Sequence, residues 1–309
     1  MAAIFARQRI VTTAAATAVV GTALYVSRPA PLRLDSAFKE PSKTLTFPRT
    51  MLFSRELKVK QVEQVNHDTK RITFDLPGGE SEISGVPASS AILTQHTAQG
   101  AWFPTLRPYT PISPPHQLGI LTLLVKQYPN GRASTHMHSL QPGDSLTVRG
   151  PIPGYTYKPS PQQPRSVILI AGGAGITPIY SLAREILTAD SRDQTAVQLL
   201  WGVNGPRDIV LRQELEALRA EFPERFSVTY AVSGKETDVA ALGSAEMFKK
   251  GYVNRGLVEE AIARCGGAFG DEKGTKVFLC GPPAMEEAVA GKKGVLAELG
   301  LAKKEIHRF

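Results

Sequence analysis

Short apolar runs that alternate in steps of two dominate the chain from Phe53 onward. In residues 71–76 every second position is apolar, and the proline and glycines that follow predict a turn. Residues 57–62 keep the same alternation after a slip of one position. Further strands are predicted at 91–93, 118–125 and 145–148. Several short strands separated by turns predict a small antiparallel β-barrel.

The pattern changes at Val167, after a proline-rich linker that begins at Pro151. Apolar runs with the composition of buried strands now alternate with helical segments. The strands are predicted at 167–171, 197–201, 227–232 and 276–280, and the helices at 178–188, about 208–220 and 256–264. This alternation predicts a doubly wound parallel sheet, which binds ligands at the carboxyl ends of its strands. The chain is therefore interpreted as a β-barrel followed by an α/β domain.

The first strand of the α/β region runs into a glycine-rich turn. Gly172, Gly173 and Gly175 allow a tight turn and a close approach to a ligand. Thr177 suits a helix N-cap and Pro178 the first helical position, and the free N–H groups there would attract a phosphate or an amide. The turn departs from the usual dinucleotide fingerprint, because a proline replaces the third glycine. Taken alone, it fits an ordinary strand–helix turn equally well.

The formal net charge of +8 belongs almost entirely to the N-terminal end. Residues 1–60 carry ten Lys or Arg and three acidic residues, so the remaining chain is close to neutral. Nucleic-acid binding is therefore not expected. The two cysteines, Cys265 and Cys280, form no CxxC motif, which excludes a disulfide framework, a structural zinc site and a self-contained iron–sulfur cluster.

The basic N-terminal end contains an uncharged run at residues 10–26. The acid-free stretch before Asp35 resembles a mitochondrial transit signal. As a helix the run would be roughly 25 Å long, at the short end of a membrane span. We interpret residues 1–27 as a targeting segment that also anchors the protein, with a cleaved presequence as the alternative, and the proline-containing residues 28–50 as a spacer.

A five-residue motif in the barrel half carries three complementary side chains. Arg107 offers a fork of donors that suits a pyrophosphate. Tyr109 offers an aromatic face for a flat ring, and Thr110 a hydroxyl for the polar edge of that ring. Taken alone, the motif fits an ordinary strand end better than a binding site. Further on, Ser134 suits the N-cap of a short helix whose amides would face a phosphate.

Cys280 closes the last predicted strand, on the same edge of the sheet as the glycine turn. No paired base or second cysteine accompanies it, so packing beside a bound ring is expected rather than a nucleophilic role. His136 and His138 stand two positions apart on a short helix and point to different sides. They are therefore interpreted as structural or surface residues, and no metal site is expected.

Four motifs follow one another in the order and at the separations found in one family. They are Arg-Pro-Tyr-Thr-Pro at 107–111, Gly-x-x-Ser at 131–134, Gly-Gly-x-Gly-Ile-Thr-Pro at 172–178 and Cys-Gly-Pro-Pro at 280–283. Through them, residues 53–309 resemble the ferredoxin-NADP-reductase superfamily, and within it the NADH-cytochrome b5 reductases. The resemblance is strongest to the fungal mitochondrial members, and it includes the tail that ends at Phe309.

This resemblance implies an antiparallel flavin-binding β-barrel at residues 51–160, followed by a doubly wound parallel-sheet nucleotide-binding domain at residues 161–309. FAD would bind the barrel and NADH the α/β domain. Thr110 and Cys280 would lie at the reacting rings as the catalytic residues. The cofactor-binding residues that the resemblance implies are Arg107, Pro108, Tyr109, Thr110, Val125, Lys126, Tyr128, Gly131, Ala133, Ser134, Gly172, Gly173, Ala174, Gly175, Thr177, Pro178, Asp208, Cys280, Gly281, Pro282 and Phe309.

Asp208 falls where the NADH-specific members have an acid near the adenosine ribose. An acid there would accept hydrogen bonds from the ribose hydroxyls and repel a 2′-phosphate, which favours NADH over NADPH, although neighbouring Arg207 weakens that preference. Two positions depart from the animal enzymes, since Ala174 replaces a threonine and Ala91 replaces a histidine. A proton route through that histidine is therefore not expected.

The resemblance implies a membrane-tethered reductase that takes a hydride from NADH and passes electrons singly to cytochrome b5 or a similar small haem protein. Arg132, Lys158, Lys249 and Lys250 could dock an acidic partner, although any one of them alone is better explained as solvated surface. The N-terminal anchor implies the mitochondrial outer membrane, with the intermembrane space as a second location. Two alternatives stay open: a related mitochondrial NAD(P)H diaphorase or haem-protein reductase with another acceptor, and a catalytically silent module on the same fold.

Overall fold

A computed structural model describes residues 40–163, 165–234, 238–265 and 276–309. The predicted targeting segment at 1–27 and the first part of the predicted spacer lie outside these ranges. Among the helices of the described ranges, none has the length and apolar character that a membrane crossing requires.

The first domain is built on an antiparallel sheet. Its strands are β1 (Ser42–Lys43), β2 (Arg55–Gln64), β3 (Thr69–Asp75), β4 (Glu82–Ile83), β5 (Ala91–His96), β6 (Thr105–Tyr109), β7 (Ile120–Lys126) and β8 (Ser145–Ile152), and its helices are α1 (Arg49–Leu52) and α2 (Arg132–Ser139). In the described part of the chain, six of these strands pair in the order β6-β5-β8-β2-β3-β7. The register of β2 and β3 shifts between Val59 and Gln61, so the slip in the sequence pattern marks a β-bulge.

The segment that enters this domain is packed onto it. β1 pairs with β4. Leu45 is only 1% exposed, and the Thr50 side chain is fully buried and donates a hydrogen bond to the carbonyl of Gly150. Residues 41–50 of the predicted spacer therefore belong to the folded body.

The second domain is a parallel sheet covered by helices on both faces. Its strands are β9 (Ser166–Gly172), β10 (Ala196–Val203), β11 (Phe226–Val232), β12 (Phe248–Lys250), β13 (Lys276–Cys280) and β14 (Ile306–Arg308), and its helices are α3 (Ile176–Thr188), α4 (Arg212–Glu221), α5 (Arg255–Arg264), α6 (Pro283–Ala290) and α7 (Val295–Glu298). Within the described ranges the strand order is β12-β11-β10-β9-β13-β14, which confirms the predicted doubly wound sheet.

In this domain two edge strands and the helices α6 and α7 were not predicted, and α3 and α4 begin at other residues than predicted. β12 and β14 are three residues long, too short to produce a periodic pattern. The helix predicted from about residue 208 begins at Arg212, because Pro206–Asp208 forms a separate 3-10 turn that holds its shape through a hydrogen bond from the Gly205 amide to the Asp208 carboxylate.

The two domains share a seam of apolar and charged contacts. Ile112 and Leu124 of the barrel belong to the same buried cluster as the core of the α/β sheet. Arg71 on β3 forms an ion pair with Glu214 on α4, and the Arg184 Nη1 atom donates a hydrogen bond to the Ile112 carbonyl at 2.6 Å. Residues Pro41–Phe309 accordingly form one compact unit, in which the cleft described next has a fixed shape.

Candidate active site

A cleft of about 1480 Å³ opens where the carboxyl ends of the parallel strands meet the barrel. Ligand pockets in proteins usually enclose roughly 300–1,000 Å³, so this cleft has room for more than one ligand of ordinary size. The predicted residues that line it are Arg107, Pro108, Tyr109, Thr110, Lys126, Tyr128, Gly131, Ala133, Ser134, Gly172, Ala174, Gly175, Thr177, Pro178, Cys280, Gly281, Pro282 and Phe309.

The barrel wall of the cleft contains the end of β6. Arg107 is exposed there, and its Nη1 atom donates to the Leu106 carbonyl at 2.8 Å, which leaves the rest of the guanidinium directed to the cleft rim. Burial raises the pKa of Tyr109 to about 12, so its hydroxyl stays protonated at neutral pH. Thr110 is 9% exposed and follows directly. The guanidinium of Arg107, the protonated phenol of Tyr109 and the hydroxyl of Thr110 therefore follow one another along this wall.

Ser134 acts inside the first turn of α2 and does not cap it. The helix begins at Arg132 with Gly131 as its N-cap, so the predicted cap position was wrong. Ser134 Oγ accepts a hydrogen bond from the Tyr128 amide at 3.2 Å and donates one to the Gly131 carbonyl at 3.1 Å. The side chain thereby closes the tight turn that precedes the helix and directs its N-terminal amides to the cleft.

The glycine turn lies against the end of β13 at a distance that only glycine permits. A Cβ atom on Gly175 would lie 2.2 Å from the carbonyl oxygen of Cys280, and one on Gly172 would lie 2.3 Å from the Met285 sulfur. On the other side, Gly173 has a φ of +51° and open space where a Cβ would point. Trp201 supports the turn from below, because its indole N–H donates to the Gly173 carbonyl at 3.3 Å.

The helix after this turn starts earlier than predicted. A 3-10 turn at Gly173–Gly175 runs straight into α3, which begins at Ile176 with Gly175 as its N-cap. Thr177 is therefore the second helical residue and Pro178 the third, so the predicted cap and first position were wrong. The Thr177 hydroxyl donates to the Ala174 carbonyl at 3.3 Å and thus stabilises the turn.

Cys280 sits between the turn and the barrel as a neutral thiol. Burial, with a smaller contribution from Glu286, raises its pKa to about 11. A thiol with that pKa is a poor nucleophile at neutral pH, which supports a packing role. Burial also raises the pKa of Tyr128, which lines the cleft from the barrel side.

Asp208, Val125 and Gly173 lie outside the large cleft. Val125 is fully buried in the barrel core. Asp208 lines a separate cavity of about 20 Å³ next to Gly173 and Ala174, and its side chain is 13% exposed. Lys126 borders both spaces.

Lys126 joins the barrel to the turn that carries Asp208. Its Nζ atom lies 2.8 Å from Asp68 and 3.7 Å from Asp208. Burial alone would lower the pKa of Lys126, but the two carboxylates outweigh it and raise the pKa, so the ammonium stays charged. Asp68, Asp208 and His67 also lie close enough together to ligate a metal ion. The Lys126 ammonium, however, already supplies a positive charge beside the two carboxylates.

Several cleft residues have no counterpart in the sequence prediction. Pro153 and Gly154 follow β8, and His307 and Arg308 precede Phe309 on β14. Ala91, where the animal enzymes have a histidine, also lines the cleft. The proline-rich composition after β8 marked only a linker, and a three-residue strand at the sheet edge carries no periodic signal.

His136 and His138 have structural partners. The His136 ring stacks on His96 with a centroid distance of 3.5 Å, and burial lowers the pKa of His136. One ring nitrogen of His138 lies 2.8 Å from the Val125 carbonyl oxygen. The two rings face different elements, as their spacing predicted.

Comparison with known proteins agrees with this architecture. Residues 56–157 match the oxidoreductase FAD-binding domain and residues 169–291 the oxidoreductase NAD-binding domain. The chain is 38% identical to NADH-cytochrome b5 reductase 2 of Aspergillus fumigatus, over 82% of this chain and 77% of that protein. It is also 38% identical to NADH-cytochrome b5 reductase 2 of Pyricularia oryzae, over 87% of this chain and 79% of that protein.

The chain belongs to the NADH-cytochrome b5 reductase family. Among solved structures, the cytochrome b5 reductase domain of Ulva prolifera nitrate reductase superimposes with a TM-score of 0.71 at 26% identity, over 87% of this chain and all of that one. The protein is accordingly an FAD-dependent oxidoreductase that uses NADH, as predicted.

The residues of the cleft fit these two cofactors. The barrel wall offers Arg107 and the amides at the start of α2 to a pyrophosphate, and Tyr109 to a flat ring. The opposite wall offers the glycine turn to a second ring through Gly172, Ala174 and Gly175. The volume of the cleft admits both groups together.

Proposed function

We propose that this enzyme passes electrons from NADH to cytochrome b5 or a similar small haem protein. The observation that carries the proposal is the cleft itself, which Tyr128 of the barrel and Cys280 of the α/β domain both line. Two flat rings held on these facing walls would meet without a side chain between them. FAD, when bound, accepts a hydride from NADH and releases electrons one at a time.

The residues of the cleft position the cofactors and exclude competing chemistry. Ser134 would shape the turn that presents the α2 amides to a phosphate, and Thr110 would offer a hydroxyl to the polar edge of the flavin ring. Cys280 and Tyr109 remain protonated, so neither adds a negative charge beside the reacting rings. Bringing two rings into register accounts for most of the work in such a reaction, so no nucleophile is required.

The partner would approach from a basic surface. Arg132 is exposed at the start of α2 and lines the cleft, and Lys158 is a second basic residue of the barrel domain. Lys249 forms an ion pair with Glu260, and the Lys250 ammonium donates to the Gly234 carbonyl, so these two lysines are partly engaged. Arg132 and Lys158 are therefore the better candidates for contacts with an acidic haem protein.

We propose further that the N-terminal segment attaches the protein to the mitochondrial outer membrane. The acid-free beginning and the uncharged run at 10–26 support this, with the intermembrane space as a second location. Carbonate extraction of isolated mitochondria tests attachment, and protease protection tests which side the body faces. Recovery of the protein in the carbonate supernatant would contradict attachment.

The acceptor is tested with the full-length protein in detergent. A flavin spectrum and NADH-dependent reduction of both ferricyanide and cytochrome b5 are expected. Reduction of ferricyanide without cytochrome b5 would move the function to a diaphorase or another haem-protein reductase. A protein that binds no flavin after incubation with FAD would be a catalytically silent module.

A further inference from the structure

Five of the large apolar side chains exposed on the barrel domain are more than half exposed and lie in two short segments. Trp102 and Phe103, in the loop between β5 and β6, are 94% and 82% exposed. Phe47, Leu52 and Phe53, which flank or end α1, are 62%, 72% and 66% exposed. We call these five residues the aromatic face. Large neighbouring aromatic side chains in water usually mark an interaction surface.

A hydrogen-bonded arginine holds the two parts of the aromatic face on one side of the barrel. Arg149 donates from Nη1 to the carbonyls of Met51 and Leu52 at 2.7 and 2.8 Å, and from Nε to Gln95 at 2.9 Å. Gln95 pairs across the hairpin with Leu106, which is itself 36% exposed. Helix α1 packs against β8, and Arg149 of that strand links the end of α1 to β5 of the hairpin whose connecting loop carries the two aromatic residues.

We propose that the aromatic face contacts the surface of the lipid bilayer to which the N-terminal segment attaches. This inference rests on the membrane attachment proposed above. Tryptophan rings favour the headgroup level of a bilayer, because one edge is apolar and the other donates a hydrogen bond. Exposed Lys43 and Arg49 lie on the segment that leads to this face and would attract anionic headgroups.

The length of the connecting chain agrees with this placement. Residues 27–39 separate the uncharged run from the described body, and such a chain reaches at most about 45 Å when fully extended. The face begins only a few residues later, at Phe47. A bilayer that holds the uncharged run is therefore within reach of α1, whereas a haem protein recognised through its acidic surface has no reason to prefer a cluster of Trp, Phe and Leu.

Contact with the bilayer would place the cleft next to the membrane. Pro104 and Thr105, at the end of the aromatic loop, line the cleft that holds the cofactors. An acceptor held in the same membrane would then meet the enzyme by diffusion in two dimensions. The orientation of the folded domains at the bilayer, in addition to the N-terminal attachment, would bring the enzyme and its electron acceptor together.

The two tryptophans of the chain make a direct test possible. Trp102 is exposed, whereas Trp201 is fully buried in the α/β core. The full-length protein would be reconstituted into vesicles of phosphatidylcholine and phosphatidylserine with brominated acyl chains, which quench tryptophan fluorescence on contact. We expect loss of most of the Trp102 emission, measured as the difference between the wild type and Trp102→Phe.

Substitutions on and off the face supply the controls. Phe103→Ser and the pair Leu52→Ser with Phe53→Ser should weaken the quenching while flotation with vesicles and ferricyanide reduction stay unchanged. Tyr252→Ser, at a residue 78% exposed in the α/β domain, should leave the quenching as it is.

Three outcomes would overturn the proposal in distinguishable ways. Protein that floats with the vesicles but shows no quenching of Trp102 would keep the membrane attachment and refute the contact. Protein that does not float would refute the attachment, and the contact with it. Quenching of Trp102 by soluble cytochrome b5 without vesicles, and none by lipid, would assign the face to a protein partner instead.

Discussion

The Nζ atom of Lys126 on β7 lies 3.7 Å from the carboxylate of Asp208 in the α/β domain. The same ammonium lies 2.8 Å from Asp68, so one barrel lysine faces both this acid and the acid that was expected to face the adenosine ribose. The Asp208 carboxylate also accepts a hydrogen bond from the Gly205 amide at 3.0 Å, so the lysine and the 3-10 turn together position it beside the small cavity that it lines.

Asp208→Asn should reduce the preference for NADH over NADPH. A hydrogen bond to a charged group contributes about 1.5–3 kcal/mol, so the KM for NADH should rise at least about tenfold, with little change for NADPH. The measurement is the ratio of kcat/KM for the two nucleotides. Asp68→Asn is the matched control, because it removes the other carboxylate from Lys126. An equal loss of the preference for NADH in both variants would show that Asp208 acts only by holding Lys126.

Ser134→Ala should weaken FAD binding. The substitution removes two hydrogen bonds that close the turn before α2, and a loss of about 1 kcal/mol or more corresponds to at least a fivefold rise in the Kd of FAD. Flavin fluorescence during titration of the apoprotein measures it. Ser139→Ala removes a local hydrogen bond to His136 on the same helix and should leave FAD affinity unchanged. Identical affinities in both variants would contradict this role of Ser134.

Gly175→Ala should separate the glycine turn from β13. The added Cβ would meet the backbone of Cys280 at 2.2 Å, and overpacking of this kind costs about 1–3 kcal/mol. We expect a lower melting temperature and a higher KM for NADH, measured by thermal unfolding and steady-state kinetics. In Gly202→Ala the new Cβ lies 3.7 Å or more from its neighbours, so this variant should behave as the wild type. A fully active, fully stable Gly175→Ala would contradict the tight contact.

The stability of the protein should fall between pH 9 and about pH 11, in part because of Cys280. Burial raises the pKa of this thiol from 9.0 to about 11, so the folded state holds its proton where the unfolded chain releases it. The stabilisation is complete below pH 9 and is lost as the pH rises through the folded value, by on the order of 1 kcal/mol for each pH unit. Melting temperatures of the wild type and Cys280→Ser over this range measure it.

The same shift should make Cys280 slow to alkylate. At pH 8 its thiolate fraction should be about a hundredfold below that of an unshifted thiol, since each pKa unit is a factor of ten. Mass spectrometry of the two cysteines after treatment with iodoacetamide checks this, with the urea-unfolded protein as the reference. Equal rates for Cys280 in the folded and unfolded protein would contradict the burial effect.

The local hydrophobic pattern predicted the strands and helices well where these elements were long enough to show a period. The alternation after Phe53 and the buried runs after Val167 led to the barrel and the parallel sheet, and the slip at 57–62 corresponds to the bulge beside Val59. The helix starts at Thr177 and Ser134 were predicted wrongly, because backbone conformation at Gly175 and Gly131 already supplied the caps. The general preference of serine and threonine for the N-cap position gives no information on whether a neighbouring glycine occupies that position instead.

It was harder to predict which residues from distant parts of the sequence meet in the cleft. Pro153, Gly154 and His307 enter the cleft only because β8 and β14 end there, and no local signal marks them. The motif match led to Arg107, Tyr109 and the glycine turn, but it could not separate the cleft from the small cavity beside Asp208.

The shared seam has a consequence for protein engineering. Ile112 and Leu124 come from the barrel but complete the core of the α/β sheet, and Arg71 is paired with Glu214 across the same boundary. A chimera that joined this barrel to the nucleotide-binding half of another reductase would leave these side chains without matching neighbours. Exchange of the two halves should therefore succeed only when the seam residues are transplanted together with the domain.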